Sequence, residues 1–355
     1  QRDYFHDNPE PGEMRRMTYT SLAHGADSLL YFRWRTCRFG AEEYWCGILD
    51  HDNIPRRRYQ EAKQVGMELS RIGPEILGTT VYVDVAIATS DFDNSDAHQT
   101  LHLGLPAPDY IAGLIRRKCF EKKLAIGCVH PSDDLSSLRL YFIPHWVIID
   151  PQWLPNLRNF VERGGILVIG ARSGTRNIHN KVISETPPGV LTGLCGINVE
   201  EYGKCNDLGN RPIFIRYNST DIPIQIWYEV LKPINTQIVA TYRGRHLDNS
   251  PAITCNYLGS GKVFYVGTYL TEQIIGHFLP LWIENAGLKP LWQDVPDDVE
   301  VIVREDDSKK LWFFINHSDV QVSMKSSPEG IDLISSKKAG EGLIIEPNGV
   351  VIILS

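Results

Sequence analysis

Residues 28–52 read SLLYFRWRTCRFGAEEYWCGILDHD, and the organisation of the chain turns on them. Leu29 to Trp34, broken only by Arg33, is an apolar and aromatic run, the pattern of a short buried strand. Charged and aromatic residues crowd its end: Arg33, Trp34, Arg35, Arg38, Glu42, Glu43, Tyr44 and Trp45. An apolar strand with such an end fits one strand of a (β/α)8 barrel with a site at its mouth. Trp and Tyr supply flat faces with a polar edge, and carboxylates and guanidinium groups supply hydrogen bonds. That mixture suits a sugar ring. From residue types alone, a parallel strand followed by a solvated loop is the plainer reading.

The flanks are helical. Glu13 to His24 carries Met14, Met17, Leu22 and Ala23 near one face, with Gly25 placed as a C-cap. Arg56 to Ile72 repeats the pattern with Tyr59, Ala62, Val65, Met67 and Leu69, and Gly73-Pro74 is expected to stop it. Gln1 to Gly12, with Pro9 and Pro11, reads as a loop. Helix, strand, helix is too little to close a barrel. It cannot bury both faces of one strand alone and needs either the rest of a barrel or the next domain.

With the preceding residues, this stretch resembles the last barrel strand of the family 42 glycoside hydrolases, the β-galactosidases. The matching pieces are Pro11-Gly12, Met14-Arg15, Ala23 to Asp27, Tyr31 to Arg35, Gly40-x-Glu42 and Gly47 to Asp52. The resemblance continues through the later segments. It implies three parts: residues 1–78, the last strand and flanking helices of the catalytic barrel; residues 79–292, a doubly wound α/β trimerisation domain; and residues 293–355, a small C-terminal β domain.

The resemblance also implies site residues. Glu42 matches a family glutamate that binds galactose hydroxyls, and an ionised carboxylate accepting from two hydroxyls suits that role. A salt bridge to Arg35 or Arg38 is the plainer reading of Glu42. Where many members carry a histidine three residues on, this chain has Trp45, which can stack on a sugar face but accepts no hydrogen bond. A retaining glycosidase needs two carboxyl groups roughly 5 Å apart. The resemblance places both of them, and the family's cysteine zinc cluster, before Gln1. No catalytic residue, metal or cofactor is therefore expected in these 355 residues. The expected partners are a galactoside, the N-terminal barrel segment and two further copies in a homotrimer. Two other readings stand beside this one: a non-catalytic structural module, and a carbohydrate-binding protein that kept Glu42 and Trp45.

The second segment alternates short apolar strands with helices, which predicts a parallel, doubly wound sheet resembling class I glutamine amidotransferases. The predicted strands are Tyr82 to Ala88, Ala125 to Val129, Leu140 to Ile143, Ile166 to Gly170 and, after a long excursion, Lys262 to Gly267. Tyr110 to Phe120, Pro155 to Arg163 and Thr271 to Gly287 are predicted helices. A nucleophile elbow needs Ser or Cys at the centre of its glycine-flanked motif. Gly170-Ala171-Arg172-Ser173-Gly174 puts Arg172 there, which argues against catalysis in this domain. Gly259-Ser260-Gly261 leads into a strand and reads as a hairpin turn. Ser90 to Asp96 has alternating Asp but neither the Gly nor the Glu of a Ca²⁺ loop, and reads as a polar loop.

The third segment predicts strands over Val299 to Val303, Leu311 to Asn316, Val320 to Met324, Leu343 to Glu346 and Val350 to Leu354, an antiparallel sandwich. Hydrophobic content of 43%, charged content of 22% and net charge of -7 fit a globular chain and argue against nucleic acid or an anionic membrane as partner. Seven cysteines form no CxxC pair and read as reduced thiols of a cytoplasmic protein. Zinc binding by Cys195 and Cys205 is the other reading, with a spacing that matches no trusted pattern.

Overall fold

The computed structural model describes residues 8–89, 91–205 and 212–355. Most of the predicted loop Gln1 to Gly12, and Ser90 of the predicted loop Ser90 to Asp96, lie outside the described residues. The chain divides into two compact units, Gln1–Tyr82 with Pro290–Ser355, and Val83–Lys289.

In the first unit the N-terminal helices and the C-terminal strands share one core. Helix α1 (Glu13–Ala23) and helix α2 (Arg57–Ile76) cover an antiparallel sheet. Its six strands run in the order Thr80–Val81, Val299–Glu305, Lys310–Asn316, Val350–Leu354, Gly330–Asp332 and Lys338–Ala339. Side chains alternate across a pleated strand, so Phe313 and Ile315 face the helices. There they meet Tyr19, Leu22, Ile72 and Ile76. Phe314 points to the other face, with Val301, Met324, Ile345 and Val351.

Three expectations change here. The C-terminal sheet is not half of a two-sheet sandwich. One face is covered by α1 and α2, and the other by the two-stranded ribbon Val322–Met324 with Leu343–Ile345 and by Leu291, Trp292 and Val295 of the preceding segment. The apolar row of Ile302, Phe313, Ile315, Val350 and Ile352 takes the helices' apolar faces as its cover. Helix α2 runs through Gly73-Pro74 to Ile76, because Ile72 and Ile76 are buried in the same core and that packing outweighs the proline.

The third correction concerns Leu29 to Trp34, which form no strand. Leu30 is 96% exposed and Trp34 62%. A strand needs lateral partners, and the only ladder here is the isolated parallel bridge Arg35↔Leu49.

The second unit is built on a nine-stranded mixed sheet. Five parallel strands come first, in the order Ile126–Cys128, Val85–Ile87, Leu140–Ile143, Ile166–Gly170 and Gly261–Val266. Four antiparallel strands extend them: Pro251–Leu258, Gln237–Arg243, Phe214–Tyr217 and Thr220–Pro223. The sheet is thus parallel only in its first half, which corrects the expectation of a wholly parallel sheet. The residues read as an excursion form meanders, because their turns are local. Asn218 and Ser219 adopt φ of 47° and 65°, the left-handed values a two-residue hairpin requires. Gly259-Ser260 makes the predicted hairpin, with Leu258 opposite Gly261.

The parallel half is covered on both faces. Helix α3 (Phe92–Thr100) follows the strand Val85–Ile87. Asp91 caps it by accepting from the Asn94 N–H, so the predicted loop Ser90 to Asp96 is largely the start of a helix. Helix α4 (Pro108–Glu121) packs one face with Ile111, Ile115 and Cys119. Helix α5 (Leu154–Glu162) and the short helix α6 (Thr192–Cys195) pack the other with Leu157, Phe160, Leu194 and Cys195. Helix α7 (Glu272–Ala286) returns to the first face with Ile275, Phe278 and Trp282. No helix of the described residues is long and apolar enough to cross a membrane.

Candidate functional site

The loop bearing Glu42 is closed at its base by backbone hydrogen bonds. Ile48 N–H donates to Arg33 O at 2.8 Å, Leu49 N–H to Trp34 O at 2.8 Å, and Thr36 N–H to Leu49 O at 2.9 Å. The buried Thr36 hydroxyl tightens the crossing: it donates to Leu49 O at 3.1 Å and accepts from Gly47 N–H at 2.9 Å. Gly47 is obligatory there. A Cβ would lie 2.8 Å from Arg33 O and 2.9 Å from the Thr36 nitrogen, inside backbone that cannot yield. Arg58 of α2 braces the far side, donating to Gly47 O at 3.0 Å and pairing with Asp50.

Within this clamp the residues from Gly40 to Trp45 make a turn, with Trp45 N–H donating to Glu42 O at 3.0 Å. The Glu42 carboxylate accepts from Arg33 Nη1 at 3.0 Å, and its side chain remains 43% exposed. Arg33, rather than the expected Arg35 or Arg38, is the partner. The Arg33 guanidinium also sits 4.9 Å from the centre of the Phe32 ring. Trp45 meets Phe32 edge to face at 6.3 Å. Trp45 and Phe32 line an open groove of about 640 Å³ together with Met14, Met17, Tyr31 and Ile48. Glu42 is not among the residues lining that groove. The two expected site residues therefore share one loop but face different surroundings.

Farther along, Arg172 occupies the centre of the elbow motif with φ of 67°, the left-handed conformation that a strained elbow imposes. Ser173 is buried and spends its hydroxyl on Gly170 O at 2.8 Å, so it is not presented as a nucleophile. Cys195 is buried in the core beside α5, and Cys205 ends the strand Ile197–Cys205.

Two clusters were missed by sequence reasoning. In the first unit, Glu300 is buried between two histidines, with His24 Nε2 at 3.1 Å from Oε1 and His317 Nε2 at 2.8 Å from Oε2. Arg16 lies 3.2 Å from His317 Nδ1, and a guanidinium only donates, so Nδ1 accepts and Nε2 carries the proton toward Glu300. Burial pushes the Glu300 pKa up, but the hydrogen bonds from His24 and His317 outweigh it and hold the carboxyl well below its usual range. In the second unit, Arg172, His145, Tyr269 and Glu229 gather beyond the parallel strands. Of these, only Arg172 carried a signal in the sequence, as the centre of the failed elbow motif.

Comparison with known proteins addresses the family. Three β-galactosidase family models fall on the chain in order. "Beta-galactosidase" matches residues 2–72, "Beta-galactosidase trimerisation domain" residues 117–289, and "Beta-galactosidase C-terminal domain" residues 298–354. The chain belongs to glycoside hydrolase family 42. Within that family it matches the C-terminal half.

β-Galactosidase BgaB of Geobacillus sp. is 31% identical over 327 residues, which cover 90% of this chain and 47% of the relative. β-Galactosidase BgaA of Clostridium cellulovorans is 27% identical over 352 residues, covering 97% of this chain and 52% of the relative. The chain thus spans about half the length of the curated relatives it matches. The crystal structure of a β-galactosidase from Bacillus circulans sp. alkalophilus superposes with a TM-score of 0.88 at 23% identity, over 97% of this chain and 52% of that one. At that identity the likeness establishes the fold.

Proposed function

We propose that the chain forms the C-terminal half of a retaining β-galactosidase that removes terminal β-D-galactosyl residues. In this reading residues 1–78 are the end of the catalytic barrel, 79–292 the trimerisation domain and 293–355 the C-terminal β domain. The observation that carries it is the Glu42 loop: a carboxylate fixed by backbone clamps, held by one arginine and left open to solvent. A carboxylate so placed has lone pairs free for two sugar hydroxyls. Trp45, which faces the neighbouring groove rather than the Glu42 carboxylate, would offer an aromatic face there.

The exposed row of Leu30, Phe32, Trp34 and Phe39 supports the barrel reading. Large apolar side chains left in water mark a surface that another element covers. The preceding barrel strands would give Leu29 to Trp34 the lateral partners it lacks here. The nucleophile and the acid/base would come from those strands. Three copies would associate through the second unit. The seven thiols, none in a disulfide, suit a reducing compartment such as the cytoplasm.

The test is kinetic. In the complete enzyme, Glu42→Gln should lower kcat/KM for a β-galactoside and leave the melting temperature nearly unchanged. Unchanged turnover would remove Glu42 from the galactose site.

A further inference from the structure

The five parallel strands of the second unit, numbered by their order in the chain, lie as 2-1-3-4-5. The winding reverses between Val85–Ile87 and Leu140–Ile143. At such a reversal the loops leaving the carboxyl ends of the strands diverge and open a crevice where ligands bind. Here the crevice is walled from every side of the reversal. His98 comes from α3, His145 from the segment after Leu140–Ile143, Arg172 and Arg176 from the segment after Ile166–Gly170, and Tyr269 from the segment after Gly261–Val266. Its void is about 20 Å³, little more than a water occupies and too little for a nucleotide or a sugar ring.

The arginine at its centre is held by its backbone, by two hydrogen bonds and by an aromatic ring. Its backbone has φ of 67°, and its N–H donates to Glu229 Oε1 at 2.9 Å. Its Nη1 donates to the Tyr269 hydroxyl at 3.2 Å, and its guanidinium lies 5.4 Å from the centre of the Trp227 ring. Tyr269 in turn stacks on His145, with ring centres 4.0 Å apart and planes 9° from parallel. His145 is fixed at both nitrogens: Nε2 accepts from Leu270 N–H at 3.0 Å, so Nδ1 carries the proton and donates to Ala171 O at 3.0 Å. Burial pushes His145 down to about 3, so it contributes shape and no charge at neutral pH.

The charges do not balance. Neither Arg172 nor Arg176 forms an ion pair among the described residues. Arg176 spends Nη1 on Asn180 O and Oδ1, at 3.1 and 2.6 Å. The nearby buried Glu229 has both oxygens engaged: Oε1 by Arg172 N–H and Trp227 Nε1, and Oε2 by the Tyr265 hydroxyl at 2.8 Å. Two guanidinium groups line the crevice, and the one carboxylate beside them, Glu229, has its pKa raised by burial, so positive charge is in excess at the lining. Burial and the neighbouring Arg172 both lower the pKa of Arg176, and burial, His102 and Arg172 lower that of His98 against an opposing pull from Asp109. One bound anion relieves these repulsions. The planar guanidinium fork matches a planar carboxylate, and the small void favours that over a tetrahedral oxyanion.

We propose that this crevice binds a small carboxylate anion, gripped by Arg172 and Arg176. The inference rests on the second unit alone and does not depend on the galactosidase reading. The test titrates the full chain with sodium acetate against sodium chloride at constant ionic strength, read by melting temperature and by calorimetry. Acetate should raise the melting temperature in a saturable way that chloride does not reproduce. Arg176→Gln should abolish that response. So should Arg172→Asn, because asparagine tolerates the left-handed backbone. If Arg172→Asn does not fold, Arg176→Gln decides alone. Equal shifts with acetate and chloride, or an acetate response that survives Arg176→Gln, would overturn the proposal. Tighter binding of phosphate than of acetate would overturn the assigned anion class.

Discussion

The Arg33 guanidinium donates to the Glu42 carboxylate across 3.0 Å, closing the loop that both residues share. The pair is part-exposed, with side chains 25% and 43% accessible, and so contributes roughly 0–1 kcal/mol to stability. If Arg33 orients Glu42 for a sugar, Arg33→Gln should lower the affinity of the complete enzyme for galactose while its melting temperature stays nearly constant. Competitive inhibition by galactose measures this. An unchanged inhibition constant would reduce Arg33 to a surface contact.

The clamp beneath the loop depends on the missing side chain of Gly47. Gly47→Ala should separate Arg33 O from Ile48 N–H and release the turn from Gly40 to Trp45. The cost should be about 1–3 kcal/mol, the range for a forced fit among unyielding neighbours. Limited proteolysis should show faster cleavage between Arg38 and Trp45 than in the parent chain. A cleavage rate equal to the parent's would show that the loop is held by something else.

Arg304 is 1% exposed and serves as a polar hub for the first unit. Its Nη1 donates to Leu22 O at 2.7 Å, at the carbonyl end of α1, and its Nη2 to Thr79 O at 2.7 Å. Its Nε donates to the Thr79 hydroxyl at 3.0 Å. Arg304→Met should leave buried carbonyls without donors and cost about 3 kcal/mol. Chemical denaturation measures the loss. A loss below about 1 kcal/mol would show that water replaces the guanidinium.

Glu300 predicts an acid limb. Its folded pKa lies below the unfolded value, which is ~4.3 for glutamate. Its stabilisation is therefore fully present above that unfolded value and is lost as pH falls toward the folded one. Glu300→Gln should destabilise at neutral pH by about 2 kcal/mol, the scale of hydrogen bonds to a charged group. It should also flatten the fall in melting temperature below about pH 4.5. An identical acid limb in the variant would assign acid unfolding to other carboxylates.

Elements whose signal is local were legible in the sequence. The apolar periodicity of α1, α4 and α5, the Thr271 cap of α7 and the continuous apolar strands Leu140–Ile143 and Ile166–Gly170 all lie within one short window. What failed depended on distant partners. Leu29 to Trp34 carries a strand's composition, but a strand forms only when neighbours supply its hydrogen bonds. The union of the first and third segments depends on contacts such as Arg304 with Leu22, 282 residues apart, which no window spans. The Glu42 loop was found through its resemblance to a family motif. Its true partner, Arg33, follows from how the loop crosses at Gly47, which spacing does not encode. The Arg172 cluster was read only as a failed nucleophile elbow, because its meaning lies in the strand order around it.

The central claim is that these residues supply a galactose-holding carboxylate while the bond-breaking carboxylates lie elsewhere in the enzyme. The most direct measurement assays the purified 355-residue chain on a chromogenic β-galactoside, alone and mixed with the N-terminal barrel half of a family relative. The account predicts no turnover above background for the chain alone, and turnover in the mixture that Glu42→Gln abolishes. Hydrolysis by the chain alone would contradict it.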